Sequence, residues 1–427
     1  MKISRVLQVA FVAAIIPSLS IFEAKATTEP ALPVIPEGKF IITEYGATGD
    51  GLATNTTAIQ KTIEACIHAG GGTVVIPRGI FLTGPLTLGS KLRLQVEKEG
   101  SLRILNDIAS YPRNERGCVN SISAENCHDL EISGDGEIDG QGEIWWKGFR
   151  ADKAGFVRRP YMVFIKGCSR VLVRGIHLKN SPCFHLVPQQ CTDLTIRDVT
   201  ITAPADSPNT DAIDPSGWNY LITGCRLDVG DDNIAIKAGG DHHSQERRPS
   251  CTNFTVTDCT FLHGHGLSIG SETYGGLNGL TVRDCTFDGT TSGIRMKSNR
   301  EKGGLVENLC YENITMNHVK TPISIASYYP KTPVKPSDDP ATPVKIPAPL
   351  WKNIVIRNLK AVDSTNAGVI WGLPELPVTD VTLESVNISA TTGMRIYNAR
   401  GIRFTNSTIS NQQGEKLMIE NAEVSGL

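Results

Sequence analysis

Two segments, VLVRGIHL (residues 171–178) and LTIRDVTI (residues 194–201), decide the fold, because each consists of two short alternating stretches separated by a bend. In both segments apolar residues stand at offsets 0, 2, 5 and 7, so one face of each stretch is turned inward. The pattern recurs at intervals of about 20 to 45 residues: YLITGCRL (220–227), FTVTDCTF (254–261), LTVRDCTF (280–287), LCYENITM (309–316) and units starting at Ile354, Val381 and Ile402. A repeat of this length without a helical period is typical of a β-solenoid.

One such unit cannot bury its apolar face by itself. Stacking the units about 4.7–4.9 Å apart pairs their strands in parallel and builds one continuous core. We therefore predict an all-β fold, a right-handed parallel β-helix, which forms a single domain over residues 27–427. The alternative is an antiparallel sandwich, and the scarcity of tight two-residue turns argues against it.

The open end of such a solenoid exposes strand edges and needs a cover. The segment from Asn55 to His68 is amphipathic, and we predict that it forms a helix covering the first coil. Its predicted buried face consists of Ile59, Ile63, Cys66 and Ile67. Asn55 is the predicted N-cap, and Gly70 to Gly72 would end the helix. Seven prolines between Pro330 and Pro349 predict a loop.

The N-terminus has the features of an export signal. Lys2 and Arg5 precede an apolar run, and Ala24-Lys25-Ala26 offers a cleavage site. We expect cleavage near Ala26 and a secreted protein; an N-terminal membrane anchor is the alternative. With 42 Lys+Arg against 44 Asp+Glu, the chain has no basic excess that would indicate nucleic-acid binding. We expect a monomer that does not bind a membrane.

The chain has eleven cysteines, an odd number that would leave at least one thiol unpaired in an oxidising compartment. One set at offset 5 predicts a buried ladder of small apolar side chains, Cys225, Cys259 and Cys285. A second set lies at a turn, where disulfides between neighbouring coils are an open alternative: Cys127, Cys168, Cys191 and Cys251. The spacings contain no CxxC pair, so zinc is not predicted.

Polar residues accompany a third short strand in each repeat. Asp211 precedes one such strand, the Asp231-Asp232 pair precedes the next, and His265 precedes a third. From Asp211 the steps to Asp232, His265 and Arg295 are 21, 33 and 30 residues, each about one coil. In the last of these strands Arg295 and Lys297 alternate with apolar residues, so both point outward. We predict that all these side chains share one stripe.

Three carboxylates in one stripe repel one another, which raises the pKa of at least one of them. A protonated and an ionised carboxyl group are what glycoside hydrolysis requires. The stripe therefore predicts a hydrolase of polysaccharides.

Four motifs, in this order, resemble the signature motifs of the polygalacturonases, glycoside hydrolase family 28: Asn209-Thr210-Asp211, Gly230-Asp231-Asp232, Gly264-His265-Gly266 and Arg295-Met296-Lys297. Two upstream segments are also similar to the family, Asp139-Gly140-Gln141-Gly142 and Asn180-Ser181-Pro182 with Phe184-His185. The resemblance extends from about Phe40 to the C-terminus. Met296 stands where the family usually has isoleucine, and we expect it to point inward.

The resemblance implies an inverting hydrolase of pectin or polygalacturonate that needs no metal and no cofactor. It implies that Asp231 is the general acid, that Asp211 and Asp232 activate water, and that His265 maintains the geometry and protonation of the acid. It also implies substrate binding by four residues: Arg295 and Lys297 on a galacturonate carboxylate, with Tyr329 and Asn209. Tyr328 lies beside Tyr329.

Three further features of the sequence have local interpretations. Asp214, close behind the first motif, is interpreted as structural. Trp145 and Trp146 would either shape sugar subsites or pack under a loop. The segment GHGLSIGSET (residues 264–273) resembles endo-acting bacterial members of the family and favours endo action.

Four other functions remain open at this point. An exo-polygalacturonase or a rhamnogalacturonan hydrolase would use the same solenoid, although a carboxylate clamp is less useful beside neutral rhamnose. A pectate lyase would instead cleave by β-elimination with calcium and an arginine base. A non-catalytic solenoid that binds polysaccharide would not need three aspartates in one stripe.

Overall fold

The chain forms a right-handed parallel β-helix, which confirms the predicted fold. The computed structural model describes residues 29–239, 250–344 and 348–426. The predicted export signal and its cleavage site near Ala26 lie outside the described residues. No helix in the described part of the chain is both long enough and apolar enough to cross a membrane.

Each coil contributes to three parallel sheets, here named A, B and C. Sheet A contains Lys39–Ile41, Gly72–Ile76, Leu92–Val96, His128–Ser133, Ser169–Arg174, Cys191–Arg197, Gly217–Thr223 and Cys251–Thr257. Sheet B contains Asp50–Thr54, Gly79–Thr83, Gly100–Ile104, Glu137–Asp139, His177–Lys179, Thr200–Thr202, Arg226–Asp228 and Thr260–Leu262. Sheet C contains Leu86–Thr87, Ile122–Glu125, Val163–Lys166, Leu186–Gln189, Ile234–Ile236, Leu267–Gly270, Ser292–Lys297 and Thr321–Ala326.

Toward the C-terminus the strands lengthen and turn from one sheet into the next: Leu277–Asp288, Leu305–Asn317, Leu350–Trp371, Val378–Thr405 and Thr408–Ser425. A short antiparallel pair, Arg113–Asn114 and Gly117–Cys118, projects from the solenoid. The helices are Thr56–His68 and Glu143–Ala151, with single 3-10 turns at Ile42–Tyr45 and Pro336–Asp338.

The repeat pattern sets the register of the core. In sheet A, Leu194 pairs with Val171 on one side and with Tyr220 on the other, and Tyr220 pairs with Phe254. The rings of Tyr220 and Phe254 stack with centroids 4.6 Å apart. Residues at one offset therefore form continuous inward columns, which is how the coils bury the apolar face that none of them could bury alone.

The cysteines pack as thiols. All eleven lie in described parts of the chain, and each is free and buried. The predicted ladder of Cys225, Cys259 and Cys285 lies in the core at 1% exposure, which confirms the apolar interpretation. No disulfide links the second set of cysteines, so that alternative is not realised.

The helix Thr56–His68 packs on the first strands of the solenoid as predicted, but two details were wrong. Asn55 occupies the predicted N-cap position, but its side chain makes no capping hydrogen bond; it binds the backbone of Thr48 and Ala53 and holds the preceding turn. Ile67 is 38% exposed, because it lies at the edge of the buried face and leans on Gly89. The other three predicted apolar residues are fully buried.

The two insertions beside the solenoid differ in how they are held. Trp145 and Trp146, on helix Glu143–Ala151, are buried at 0% and 5% exposure, and the Trp146 indole donates to the Ser181 carbonyl. The predicted proline-rich loop is present and includes the 3-10 turn Pro336–Asp338. Arg300 fastens this loop through paired hydrogen bonds to Asp339 and Glu375.

Candidate active site

Sheet C positions the predicted site residues. Ile234 pairs with Leu267, Leu267 pairs with Ile294, and all three are buried in the core. Because side chains alternate along a strand, the intervening residues Ser268 and Arg295 face outward on neighbouring coils. Met296 is fully buried, as predicted.

Asp232 is the centre of a dense set of hydrogen bonds. Its Oδ1 accepts from the Ser268 hydroxyl at 2.8 Å and from the Arg295 guanidinium at 3.0 Å, and its Oδ2 accepts from the Lys297 ammonium at 2.6 Å. The side chain is only 1% exposed. Burial by itself raises the pKa of this carboxyl, but the nearby cations, Lys297 first, outweigh burial and lower it to about 2. Asp232 is therefore an ionised, firmly held carboxylate.

Asp211 has the opposite electrostatic environment. It is 3% exposed, and its Oδ1 has no hydrogen-bond partner among the described residues. Burial, together with the neighbouring acid Asp214, raises the pKa of Asp211 well above its ordinary value. One cation opposes this shift: the Lys237 ammonium lies 3.9 Å from Asp211 Oδ2 and 3.5 Å from Asp214 Oδ2.

Asp231 is the accessible member of the trio, with 27% of its side chain exposed. Its Oδ1 accepts the backbone N–H of Asp232 at 2.9 Å and lies 3.8 Å from Nε2 of His265. The other ring nitrogen of His265 shares a hydrogen bond with the Thr291 hydroxyl. Burial lowers the pKa of His265 below its ordinary value. His265 is thus held beside Asp231, the acid that faces solvent.

A buried histidine supports the backbone of the first motif. His185 is fully buried, and burial lowers its pKa to about 4. Its Nε2 accepts the Ser181 N–H, so its Nδ1 carries the proton that is directed at the Asp211 carbonyl 3.1 Å away. The Asn180-Ser181-Pro182 and Phe184-His185 segments therefore hold Asp211 in position.

Asn209 and Tyr329 lie at the border of the site. The Asn209 side-chain oxygen accepts from Arg159, a 5% exposed cation that also binds the Pro182 and Pro208 carbonyls. The Tyr329 ring lies 5.2 Å from the Lys297 ammonium and 6.0 Å from the Arg295 guanidinium carbon. Tyr328 instead turns away and donates to Asp339.

These side chains open into one cavity of about 580 Å³, which we call the catalytic groove. Its walls comprise Tyr161, Lys166, Phe184, Gln189, Gln190, Asn209, Asp211, Asp214, Ser216, Asp231, Asp232, Lys237, Gly239, Ser271, Glu272, Tyr274, Lys297 and Tyr329. The structure thus brings the three predicted acids together with Asn209, Lys297 and Tyr329. Arg295 and His265 flank the groove through their contacts with Asp232 and Asp231.

The three acids Asp211, Asp231 and Asp232 each place an oxygen within 4.8 Å of the others, close enough in principle to ligate a cation. Both oxygens of Asp232 already accept hydrogen bonds from Arg295 and Lys297. Two protein cations therefore place positive charge directly beside the acid trio.

Residues 66–408 match the sequence profile of the glycosyl hydrolases family 28. The chain belongs to glycosyl hydrolases family 28. The predicted family and the predicted glycoside hydrolase activity are confirmed.

Relatives of this family 28 chain carry names of both modes of attack. An exopolygalacturonase of Zea mays is 31% identical over 380 residues, covering 86% of this chain and 87% of its own. An endo-polygalacturonase of Pectobacterium parmentieri is 31% identical over 370 residues, covering 81% of this chain and 87% of its own. The solved polygalacturonase of Erwinia carotovora superposes with a TM-score of 0.70 at 28% identity, covering 94% of this chain and all of the other.

Sequence reasoning missed Lys237 and underrated Asp214. Lys237 follows Ile234 and Ile236, which point inward, as Lys297 follows Ile294 and Met296. The alternation that placed Lys297 in the stripe would have placed Lys237 there too. Asp214, interpreted from the sequence as structural, lines the groove beside Lys237.

Proposed function

We propose that this family 28 enzyme hydrolyses the α-1,4 bonds between galacturonate residues of polygalacturonate and pectin. One observation carries the proposal: three carboxylates converge within 4.8 Å beside Arg295 and Lys297, at the wall of one groove. Acids that differ in protonation can cleave a glycosidic bond, and the cations suit a substrate that carries a carboxylate on every sugar. The similarity to an exopolygalacturonase and an endo-polygalacturonase supports the same substrate class.

Asp231 is the proposed general acid. It is the most exposed of the three acids, and among the described residues only its Oδ1 is engaged, by the Asp232 N–H and near His265. Its Oδ2 is therefore available to give a proton to the oxygen of the leaving sugar. His265 is proposed to maintain the position and protonation of Asp231.

Asp232 and Asp211 are the proposed pair that activates water. Asp232 is ionised and can take the proton that the attacking water loses. Asp211, whose Oδ1 has no hydrogen-bond partner in the described part of the chain, can hold the same water with a second hydrogen bond. The proton lost by water and the proton given by Asp231 balance over one turnover.

We propose inversion at the anomeric carbon, although the oxygens of the acids are closer than the roughly 6.5–9.5 Å usual for inverting enzymes. Three hydrogen bonds, from Ser268, Arg295 and Lys297, fix Asp232 in place, so it can accept a hydrogen bond from water but cannot move close enough to form a covalent bond to the sugar. Proton NMR of the first product settles the matter. The β-anomer is expected, and initial release of the α-anomer would contradict inversion.

Arg295 and Lys297 are the proposed clamp on a galacturonate carboxylate. Each gives a hydrogen bond to Asp232, and each has further N–H groups, since a guanidinium has five and an ammonium three. Tyr329, against both cations, and Asn209, at the opposite border, are proposed to bind the sugars on either side. We propose that the enzyme works without a metal, so activity should survive chelation by EDTA.

We further propose that the enzyme is endo-acting, secreted and monomeric. Support for endo action comes from the length of the groove, which reaches from Lys166 to Lys297 across several coils. Viscosity and reducing ends should be followed together on polygalacturonate. Rapid thinning at low conversion is expected; release of monomer without thinning would mean exo action.

Binding without any release of reducing ends would favour a non-catalytic solenoid, and an ultraviolet-absorbing product would indicate a lyase.

A further inference from the structure

One outward column of sheet C runs along the floor of the catalytic groove. Lys166 pairs with Gln189, and the pairs Leu186–Ile213 and Ile213–Ile234 continue the same register to Ser216 and Lys237. Backbone hydrogen bonds from Ser216 to Pro188 and from Lys237 to Pro215 support this alignment. Two coils later the column arrives at Lys297. Lysines therefore stand at both ends and in the middle of one line.

The three lysines differ in what they contact. The Lys297 ammonium binds Asp232, and the Lys237 ammonium lies against Asp211 and Asp214. Lys166, in contrast, forms no ion pair or side-chain hydrogen bond within the residues that the structure describes, and neither does the amide of Gln189. Glu125, on the preceding coil, is in register with Lys166 but beyond ion-pair distance. Lys166 is thus a cation of the groove wall whose charge is not committed to an acid.

The distance between Lys166 and the acids suits a polymeric substrate that spans several sugars. Its coil is two coils before that of Asp211, which at the spacing of parallel strands is roughly 10 Å. Lys297 lies on the other side of the acids. A 1,4-linked hexuronate unit is comparable in length with one coil, so Lys166 is about two sugars away from the cleaved bond.

Two aromatic side chains line the groove on the coils of Lys166 and Gln189. The rings of Tyr161 and Phe184 stack with centroids 4.9 Å apart, are partly exposed and line the groove. An aromatic surface can contact the apolar face of a pyranose ring, while a nearby ammonium binds the carboxylate of the same sugar. Together these groups suit a sugar that has one apolar face and one anionic substituent.

We infer that Lys166 and Gln189, with Tyr161 and Phe184, form a distal subsite that binds the carboxylate of a galacturonate about two residues from the cleaved bond, on the side away from Arg295. This inference rests on the proposed polygalacturonase function and extends it. The subsite makes the enzyme prefer long, de-esterified chains, because a methyl ester offers no negative charge to Lys166.

Chain-length kinetics test the inference. Values of kcat and KM are measured for wild type and Lys166→Ala on oligogalacturonates, from the shortest that wild type cleaves to the heptamer. We expect the variant to raise KM for the long oligomers by roughly 5- to 10-fold, because one charge-assisted contact is lost. The shortest substrate and kcat should change little, and Lys166→Arg should restore the long-chain KM.

A matched control is Lys360→Ala, which removes an exposed strand lysine outside the groove and should match wild type at every length. Equal KM values for Lys166→Ala and wild type at all lengths would overturn the distal subsite while leaving the hydrolase intact. A loss that is the same at all lengths would also overturn it. Wild type that releases no reducing ends from any galacturonan would instead refute the proposed function on which the subsite rests.

Discussion

The ammonium nitrogen of Lys237 lies 3.9 Å from Oδ2 of Asp211, and the Lys297 ammonium lies 2.6 Å from Oδ2 of Asp232. Each of the two buried acids of the trio therefore faces a different lysine. Asp232 binds Lys297 directly, whereas Asp211 shares Lys237 with Asp214. Because the Lys297 contact is shorter and is assisted by Arg295, the pKa of Asp232 is lowered while that of Asp211 is raised.

Replacing Lys237 should move the acidic limb of the activity profile. This lysine lowers the pKa of both Asp211 and Asp214, so Lys237→Gln should raise both pKa values further. The ionised acids would then form only at higher pH, and we expect the acidic limb of kcat/KM to move upward by about one pH unit. Lys237→Arg keeps the charge and should keep the wild-type profile. An unchanged limb in the glutamine variant would show that Lys237 does not control these acids.

Asp231→Asn tests the proposed general acid. We expect kcat on polygalacturonate to fall by about 10²- to 10⁴-fold, because the amide cannot protonate the leaving oxygen. Stability should change little, since Asn retains the oxygen that accepts the Asp232 N–H and the side chain is 27% exposed. The matched control is Asp228→Asn, three residues earlier on the same coil and outside the groove lining, whose aspartate side chain is 28% exposed. Comparable losses in both variants would remove the assignment.

Asp214 should make the protein less stable as pH rises from 4 to 6. Burial raises its pKa from 3.8 to about 6, so the folded protein holds this proton more tightly than the unfolded chain. That contribution is complete below pH 4 and is lost as pH rises through 6, a change of roughly 3 kcal/mol in the free energy of unfolding. Denaturant unfolding at pH 4 and pH 7 should show a smaller difference for Asp214→Asn than for wild type. Identical differences would contradict this assignment.

Asp232 should act in the opposite direction at lower pH. Its pKa is lowered to about 2, so its contribution to stability is present above pH 4 and is lost as pH falls through 2. In Asp232→Asn, Arg295 and Lys297 lose their anion in a buried place, which we expect to cost about 3–5 kcal/mol. Leu substituted at both cations in the same background should recover part of that loss. Full stability of the single variant in thermal unfolding would rule out the described ion cluster.

Arg300 should control how firmly the proline-rich loop is held beside Tyr329. It is paired with Asp339 and Glu375, and Asn299 next to it donates to the Tyr329 carbonyl. Arg300→Met should speed proteolysis within residues 330–344 and raise KM for polygalacturonate several-fold. Arg357→Met is the matched control, because Arg357 is equally exposed and pairs with Glu312 away from the groove. A similar rise of KM in both variants would exclude a specific effect of the loop.

The repeat made the fold predictable because the pattern of Val171, Leu194 and Tyr220 encodes both the inward face and the register. The same register brought distant acids together, so most of the candidate site followed from spacing. The structure differs from the predictions at residues that the repeat pattern does not specify. The Asn55 amide could bind either the helix N-terminus or the preceding turn. Only the structure shows that it binds the backbone of Thr48 and Ala53 instead of the helix.

Electrostatic asymmetry among the acids could not be read from sequence. Asp231 and Asp232 are adjacent and chemically identical, yet one faces solvent and the other is buried against two cations. This difference depends on side-chain direction within one turn of the chain, which no periodic pattern specifies. Lys237 was predictable in principle, but it lacked a motif that would draw attention to it.

The column from Lys166 to Lys297 has a consequence for how such enzymes diversify. Since each winding of the backbone adds one position to it, duplication of a winding upstream of Gln189 would lengthen the track by one sugar and leave the acids untouched. Point changes at single positions of the line would alter the tolerance for charge or methylation at one sugar at a time. Preference for a particular pectin could therefore evolve stepwise, independently of the bond-breaking chemistry.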